Sequence, residues 1–339
     1  MRRPGLSVRQ TPDRTTSFPR LRVIIAAIVA LALIVPLAGT FVLAQGNPDR
    51  YVAPAGSDAD NNCTTESSPC KTIQHAVDVA AAGDTIQVKA GIYAETVTID
   101  KQGLTLEGAY AGIPAGPVAG SRSSESIIRG AVVLGGSSAN VTIDGFQIEN
   151  GAEVQGALAG IYITGASTGH IIINNRIYGT DAAGSRGILL GQDAVRVTIR
   201  SNDIAHWTSG IYLNPSANTT IADNNIHDNV AGIGSEGITS TTITGNAIVD
   251  NGEGFGVSFA GENDAVHFNR FAGNDVGVHQ YSGLRVNAEN NWWGCNEGPG
   301  GDGCDTTQGN VDFNPWLKLT IAATPTTGAP GSTAEGAAS

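Results

Sequence analysis

An asparagine returns about every 22 residues through the second half of this chain, each time within the phrase apolar-x-x-Asn-x-apolar. A pair made of glycine and an apolar residue keeps the same period. A fixed period of about 20 to 50 residues is typical of a solenoid, in which each repeat forms one coil and buries its apolar face against the next. The asparagines are Asn175, Asn202, Asn224, Asn246, Asn269 and Asn290, and the glycines are Gly160, Gly187, Gly210, Gly232, Gly256 and Gly277.

The repeats contain short stretches that alternate apolar and polar residues, such as Val197 to Ile199, with Gly, Asn and Asp between them. This pattern predicts short β-strands rather than helices. Coils that stack at the strand spacing of about 4.8 Å form parallel sheets and place the repeat asparagines in one column. There each amide can bond the backbone and the amide of the next coil, so we interpret the six asparagines as a structural ladder.

The segment from Asn224 to Ile233 matches the pattern Asn-x-Ile-x-x-Asn-x-x-Gly-Ile without a gap. It resembles the repeat of the right-handed parallel β-helix proteins of the pectin-lyase-like superfamily. The stretch from Tyr51 to Gly108 is similar to the start of secreted members, and Asn290 to Cys295 is similar to the closing segment of secreted bacterial surface β-helices. The resemblance implies an all-β, right-handed parallel β-helix of about nine to ten coils between Thr85 and Trp292.

Segment boundaries follow from composition. Arginines precede an apolar run from Val23 to Ala44, so residues 1–44 are expected to be a signal peptide or an uncleaved membrane anchor, and both place the rest outside the cytoplasm. Residues 45–84 are expected to form an N-terminal cap with a short helix, 85–290 the β-helix, 291–318 a C-terminal cap and 319–339 a disordered linker tail. The helix is predicted from the apolar stripe Ile73, Ala76, Val77 and Ala80, with Gly83 as its stop.

Charge and cysteine content limit the partners and the compartment. The first 46 residues hold six of the 19 basic and one of the 31 acidic residues, which leaves a net charge of −17 on the rest. Such a surface repels nucleic acid, and contact with a membrane is expected only through the N-terminal segment. In an exported chain the pairs Cys63 with Cys70 and Cys295 with Cys304 predict two disulfides. The expected location is secreted or at the cell surface.

Ligand-binding candidates come from the second residue after each repeat glycine, which should point outward from its strand. Tyr162 and Tyr212 are two coils apart, roughly 10 Å, and could form a platform for sugar rings. Isolated surface tyrosines are the alternative interpretation. Trp207 and His279 are further ligand-binding candidates. The predicted column is Tyr162, Leu189, Tyr212, Gly234, Ser258 and His279.

Catalytic candidates come from a turn position that holds His206, Asp228 and Asp250 in consecutive coils. Carboxyl groups about 5 Å apart have the separation of a retaining glycosidase pair, and His206 could act as a base. A calcium ion between the two aspartates would also be allowed, although no cofactor is otherwise indicated. Asp next to Asn is, however, also ordinary turn chemistry.

The fingerprints of the enzyme families with this fold are missing from the sequence. It has no Gly-x-x-Asp-Phe-Ile-Phe-Gly run, no Asn-Thr-Asp with Gly-His-Gly, and no Asp-rich cluster with Arg-x-Pro. The leading hypothesis is therefore a non-catalytic exported β-helix surface module, glycan-binding or structural, with a polysaccharide or cell-surface glycan as partner. The alternative is a polysaccharide-degrading lyase or glycoside hydrolase. A role in metal handling is a third option that the resemblance to periplasmic β-helix proteins allows.

Overall fold

The computed structural model describes residues 49–115, 122–258, 260–261, 263–323 and 336–338, with side chains up to residue 320 apart from a few single positions. The predicted signal peptide or anchor, residues 1–44, lies outside the described residues. Within them, no helix is both long and apolar enough to cross a membrane. One short helix, Ile73–Val79, accompanies a large set of strands.

Three parallel sheets, here called A, B and C, run along the molecule. Sheet A contains Arg50–Val52, Thr85–Val88, Thr105–Glu107, Thr142–Asp144, Ile171–Ile173, Thr198–Arg200, Thr220–Ala222, Thr242–Thr244 and Ala265–His267. Sheet B contains Gly91–Tyr93, Ser126–Gly130, Gln147–Asn150, Arg176–Tyr178, Asp203–Ala205, Asn225–His227, Ala247–Val249 and Arg270–Ala272. Sheet C contains Val97–Ile99, Val132–Leu134, Ala157–Ile163, Arg186–Leu190, Ser209–Leu213, Ala231–Ser235, Glu253–Val257, Val276–Gln280 and Thr307–Gln308, and Ala152–Val154 pairs antiparallel at its side.

Three small two-stranded sheets complete the set. They pair Ser216–Ala217 with Ile238–Thr239, Val286–Asn287 with Val311–Asp312, and Ile321–Ala323 with Gly336–Ala338. The last pair lies within the predicted linker tail, most of which is outside the described residues.

The chain passes through sheets A, B and C in turn, so each pass is one coil. Eight complete coils lie between Thr85 and Gln280, and a partial coil adjoins at each end. This agrees with the expected β-solenoid of about nine to ten coils; that the coil is right-handed stays a prediction.

Each strand turns one or two apolar side chains inward, because period-2 alternation points neighbouring residues to opposite faces. The central residues of sheet A are buried in every coil, and burying one such isoleucine contributes roughly 1.5–3 kcal/mol. They are Ile86, Leu106, Ile143, Ile172, Ile199, Ile221, Ile243 and Val266.

The turn from sheet A to sheet B carries the predicted asparagine ladder, with one correction at its end. Each side-chain oxygen accepts from the backbone N–H and from the side-chain NH2 of the previous asparagine. The oxygen of Asn246 accepts from these two groups of Asn224 at 3.0 Å and 2.9 Å. Each NH2 also donates to the sheet A carbonyl one coil back. The last member is Asn291 rather than Asn290, since Asn269 donates to the side-chain oxygen of Asn291.

The shift by one residue has a backbone cause. The residue before a ladder asparagine adopts the left-handed conformation, as Asp223 does with φ 55° and Asn290 with φ 56°. Asn290 therefore fills the turn position, and the inward apolar place passes from Trp292 to Trp293, which is fully buried and stacks on Phe271.

A second ladder crosses the turn from sheet B to sheet C. Asn229 donates to Asn251, and Asn251 donates to Asn274. Asn274 then donates to the two carboxylate oxygens of the buried Asp305, which ends the column.

The N-terminal helix covers the open end of the core with Ile73, Ala76 and Val77. It ends at Val79, so Ala80 is its extended C-cap and Gly83 lies beyond it, contrary to the predicted stop. The first coil holds both helix ends. Glu95 accepts from the backbone N–H groups of Ile73 and Gln74, and the ammonium of Lys101 donates to the carbonyls of Val77, Asp78 and Ala80.

Both predicted disulfides are formed, Cys63 with Cys70 and Cys295 with Cys304. The first lies next to the N-terminal helix and the second follows the last ladder residue. They fasten the two segments that close the ends of the solenoid.

Candidate functional site

The outward face of sheet C carries the predicted aromatic column. The strand register aligns Tyr162 with Leu189 and Leu189 with Tyr212, so the two tyrosines are two coil steps, or roughly 10 Å, apart. The column continues through Gly234 and Gly256 to His279. Gly256 replaces the predicted Ser258 because the repeat glycine of that coil is Gly254.

The two glycines lie beneath neighbouring side chains in the middle of this column. A Cβ atom on Gly234 would lie 3.0 Å from the ring of Tyr212, and one on Gly256 would lie 2.9 Å from the carboxylate of Glu253. The side chain of Tyr212 therefore covers Gly234, and that of Glu253 covers Gly256.

Three polar side chains meet at the C-terminal end of the column. The carboxylate of Glu253 accepts from the hydroxyl of Tyr281 at 2.6 Å and lies 3.0 Å from Nδ1 of His279. The rings of His279 and Tyr281 have centroids 3.9 Å apart. Burial and the bond to Glu253 raise the pKa of Tyr281 above its usual value. The sequence singled out His279 alone, since Glu253 and Tyr281 occur once and follow no repeat.

At the other end, Tyr212 is held between two charged groups. Its hydroxyl donates to Glu236 at 3.0 Å, and the guanidinium of Arg186 lies 4.7 Å from its ring centroid. The hydroxyl of Tyr162 lies 3.4 Å from the side-chain oxygen of Gln155. The hydroxyl of each tyrosine thus has a polar side-chain partner nearby.

A groove runs beside this column, along the turns that lead from sheet C to sheet A. Its largest cavity has a volume of about 500 Å³ and is lined by residues that include Pro215, Glu236 and Ile238. A second cavity shares Pro215 and Glu236 and reaches Tyr162. A third shares Ile238, Ala260 and Gly261 and reaches Glu289. The three cavities therefore adjoin one another along the turns from sheet C to sheet A.

Trp207 is not a surface residue, contrary to the ligand-binding prediction. Its side chain is 1% exposed and packs beneath Gly179 and Gly187. Its indole N–H donates to the carbonyl of Ile177, and its backbone N–H donates to Asn229. Trp207 thus occupies the first position of the second ladder, where its indole replaces the amide of an asparagine.

The catalytic candidates lie at the turn between sheets B and C, in the left-handed position before each member of the second ladder. His206 has φ 66°, and Asp228 and Asp250 each have φ 53°. The structure gives each its own local partner: His206 lies 3.5 Å from Asp181, and Asp228 lies 2.7 Å from Nδ1 of His227. The carboxylate of Asp250 lies over Gly273. This arrangement is that of turn-forming residues.

A polar cluster on the outward face of sheet B escaped the sequence analysis. Asp203 accepts from Tyr178 and from the amide of Asn225, and it lies 3.1 Å from Nε2 of His227. The hydrogen bond with Asp203 raises the pKa of His227 to about 9 against the lowering effect of burial, and Asp228 adds to the rise. Only the alignment of Tyr178 and His227 two coils apart could have revealed the cluster.

A family model described as "Periplasmic copper-binding protein (NosD)" matches residues 77–310, more than half of the chain. This chain belongs to that family. The family is periplasmic by its description, which places the protein outside the cytoplasm.

Similar folds occur among solved structures, while a comparison with curated proteins gave no match. Pectate lyase Pel9A is 14% identical, with 80% of this chain and 78% of that chain covered and a TM-score of 0.48. The GH136 lacto-N-biosidase from Eubacterium ramulus is 12% identical, with 80% and 68% covered and a TM-score of 0.42. Pectin methylesterase PemA from Erwinia chrysanthemi is 12% identical, with 72% and 80% covered and a TM-score of 0.37. At these scores none of the three likenesses bears on function.

The family description raises the question whether these residues can hold copper. In the described part of the chain, two groups of three residues bring metal-ligating atoms together: Cys63 and Cys70 with His75, and Cys295 and Cys304 with Glu297. Both cysteine pairs are disulfides, and thiolates rather than disulfide sulfurs are the usual copper ligands. The donor set of the oxidised protein therefore does not fit a copper ion at either place.

Proposed function

We propose that this protein is a secreted or surface-located β-helix module that binds a linear glycan along the face of sheet C and the adjoining groove, without cleaving it. The observation that carries the proposal is the column Tyr162, Leu189 and Tyr212 at the edge of an open groove. Aromatic rings supply the apolar faces on which sugar rings stack, while their hydroxyl groups remain hydrogen-bonded.

The repeat geometry suits a polymer better than a small molecule. The groove extends over about five coil steps, or roughly 24 Å, and the coil spacing is close to the length of one sugar unit. An extended glycan could therefore place successive rings against successive coils.

A binding role fits the hydrogen bonds that the acidic side chains on this face already accept. Glu236 and Glu253 each accept a hydrogen bond from a tyrosine hydroxyl. His206, Asp228 and Asp250 lie at another corner of the coil and are engaged in turns. The engagement of Glu236 and Glu253 by tyrosine hydroxyls supports binding without cleavage.

The second candidate function is polysaccharide cleavage by a lyase or glycoside hydrolase. The meeting of Glu253, His279 and Tyr281 on the outward face of sheet C favours it, because a carboxylate, an imidazole and a phenol can move protons. In that case Glu253→Gln would abolish cleavage and leave binding intact.

Binding is tested with a panel of neutral, acidic and amino-sugar oligosaccharides and the variant Tyr162→Ala/Tyr212→Ala. We expect the double variant to lose at least about tenfold in affinity, since two stacking faces disappear. Phe268→Ala is the matched control, because Phe268 is an exposed aromatic at the turn from sheet A to sheet B. Equal affinity in the wild type and the double variant would refute the proposal.

Cleavage is tested on the same panel by measuring new reducing ends and unsaturated products. We expect neither from the wild type. Products that disappear in Glu253→Gln would establish the second candidate instead.

A further inference from the structure

The groove beside sheet C is bordered by carboxylates that have no cationic partner. Asp193 and Glu236 border the largest cavity, and Asp264 and Glu289 border the neighbouring one. None of these four has a Lys, Arg or His within ion-pair distance among the residues that the structure describes.

Three arginines lie near the groove. Arg196 follows the lining residue Val195 and donates to the hydroxyl of Thr168. Arg285 borders the cavity that reaches Glu289 and forms an ion pair with Asp312. Arg186 lies in the sheet C strand column on the far side of Tyr212 from the groove and packs over that ring. The groove therefore carries an excess of negative charge.

Asp264 is a further carboxylate whose charge is offset by no neighbouring cation among the described residues. Its two oxygens accept backbone N–H groups from Thr241 and Gly261. Burial nevertheless raises its pKa, and those two hydrogen bonds only partly oppose the rise. A carboxylate held in this way gains from a cation placed next to it.

From this charge pattern we infer that the glycan bound in the groove is a linear amino-sugar polymer with free, protonated amino groups, and not a polymer of uronic acids. The inference rests on the proposed function, since it specifies the ligand of the same groove. Sugar rings stack on Tyr162 and Tyr212 while their ammonium groups lie against the carboxylates. A uronate polymer would place like charges against Asp193, Glu236 and Glu289, which disfavours binding.

Calorimetric titration with three hexamers of equal length tests this: β-1,4-linked glucosamine, the same hexamer fully N-acetylated, and galacturonate. At about pH 5.5, where exposed carboxylates are ionised, we expect the glucosamine hexamer to bind about tenfold more tightly than the acetylated one, and the galacturonate hexamer not to bind. Raising the salt concentration should reduce the advantage of the free amine.

Asp193→Asn/Glu289→Gln should lower affinity for the glucosamine hexamer about five- to tenfold and leave the acetylated hexamer unaffected, since both carboxylates border the groove without contacting a stacking tyrosine and each surface ion pair contributes little alone. The matched control is Asp275→Asn, an exposed aspartate outside the groove, which should change neither affinity. Equal affinity for both amino-sugar hexamers, or preference for galacturonate, would overturn the inference while leaving glycan binding in place. Absence of binding to any glycan would overturn both.

Discussion

Single asparagines provide the hydrogen bonds for the buried polar groups of the turn between sheets A and B. The side chain of Asn224 accepts two hydrogen bonds from Asn202 and donates to Ile199 and Asn246. All of these groups are buried, so removing the amide leaves donors and acceptors that water cannot reach.

Replacement of Asn224 by Leu should therefore lower the free energy of unfolding by about 3 kcal/mol, as measured by urea denaturation. Asn287→Leu is the control, because Asn287 is exposed and should change stability by less than about 0.5 kcal/mol. Equal midpoints for the two variants would show that the ladder does not stabilise the fold.

The charge on His227 should make stability depend on pH. Its pKa of about 9 lies above the ordinary 6.5, so its ion pairs contribute fully below about pH 6.5 and are lost as the pH rises through 9. We expect the free energy of unfolding of the wild type to fall from pH 6.5 to 9.5 and that of His227→Gln to change less. His206→Gln, at a half-exposed histidine, is the control. A variant that keeps the wild-type slope would contradict this assignment.

The repeat period predicted the buried apolar residues well. It did not predict the ladder positions at which a different residue, or a neighbouring asparagine, takes the place of the expected one. Trp207 lies 22 residues before Asn229, so its register marked it as a ladder position, but an indole is not expected in place of an amide. Asn290 and Asn291 are adjacent and chemically identical, and only the left-handed backbone at Asn290 distinguishes them.

The N-terminal helix is the element most dependent on a few side chains. It has only seven residues, too short to be stable alone, and Lys101 binds three of its carbonyls. Its apolar stripe was visible in the sequence. Its end was not, because Ala80 is a good helix former that tertiary contacts hold in an extended conformation.

Lys101→Met should release the C-terminal end of this helix. We expect a loss of about 2 kcal/mol and faster hydrogen exchange at residues 76–80, followed by mass spectrometry. Lys89→Met removes only an exposed ion pair with Glu66 and should change stability by less than about 0.5 kcal/mol. Unchanged exchange in Lys101→Met would mean that Lys101 does not hold the end of the helix.

At the scale of the whole molecule, the solenoid was predictable and the groove was not. The three sheets repeat with one period, which the sequence displays directly. The groove is lined by turn residues such as Asp193, Pro215 and Glu236, whose side-chain directions follow no alternation. The aromatic column could be predicted because its residues lie on strands with a regular alternation. The prediction was wrong only at Gly256, because the repeat glycine of that coil is Gly254 and the sequence also offers a glycine at 256.

The second ladder, which begins at Trp207 and ends at Asp305, has a direction. An amide both accepts and donates, so any number of asparagines could be added to it, each offering the next coil a place to attach. An ionised carboxylate only accepts, and Asp305 uses both oxygens on Asn274. The second ladder therefore ends at Asp305, because this carboxylate has no side-chain donor to offer to a further coil or to a neighbouring molecule.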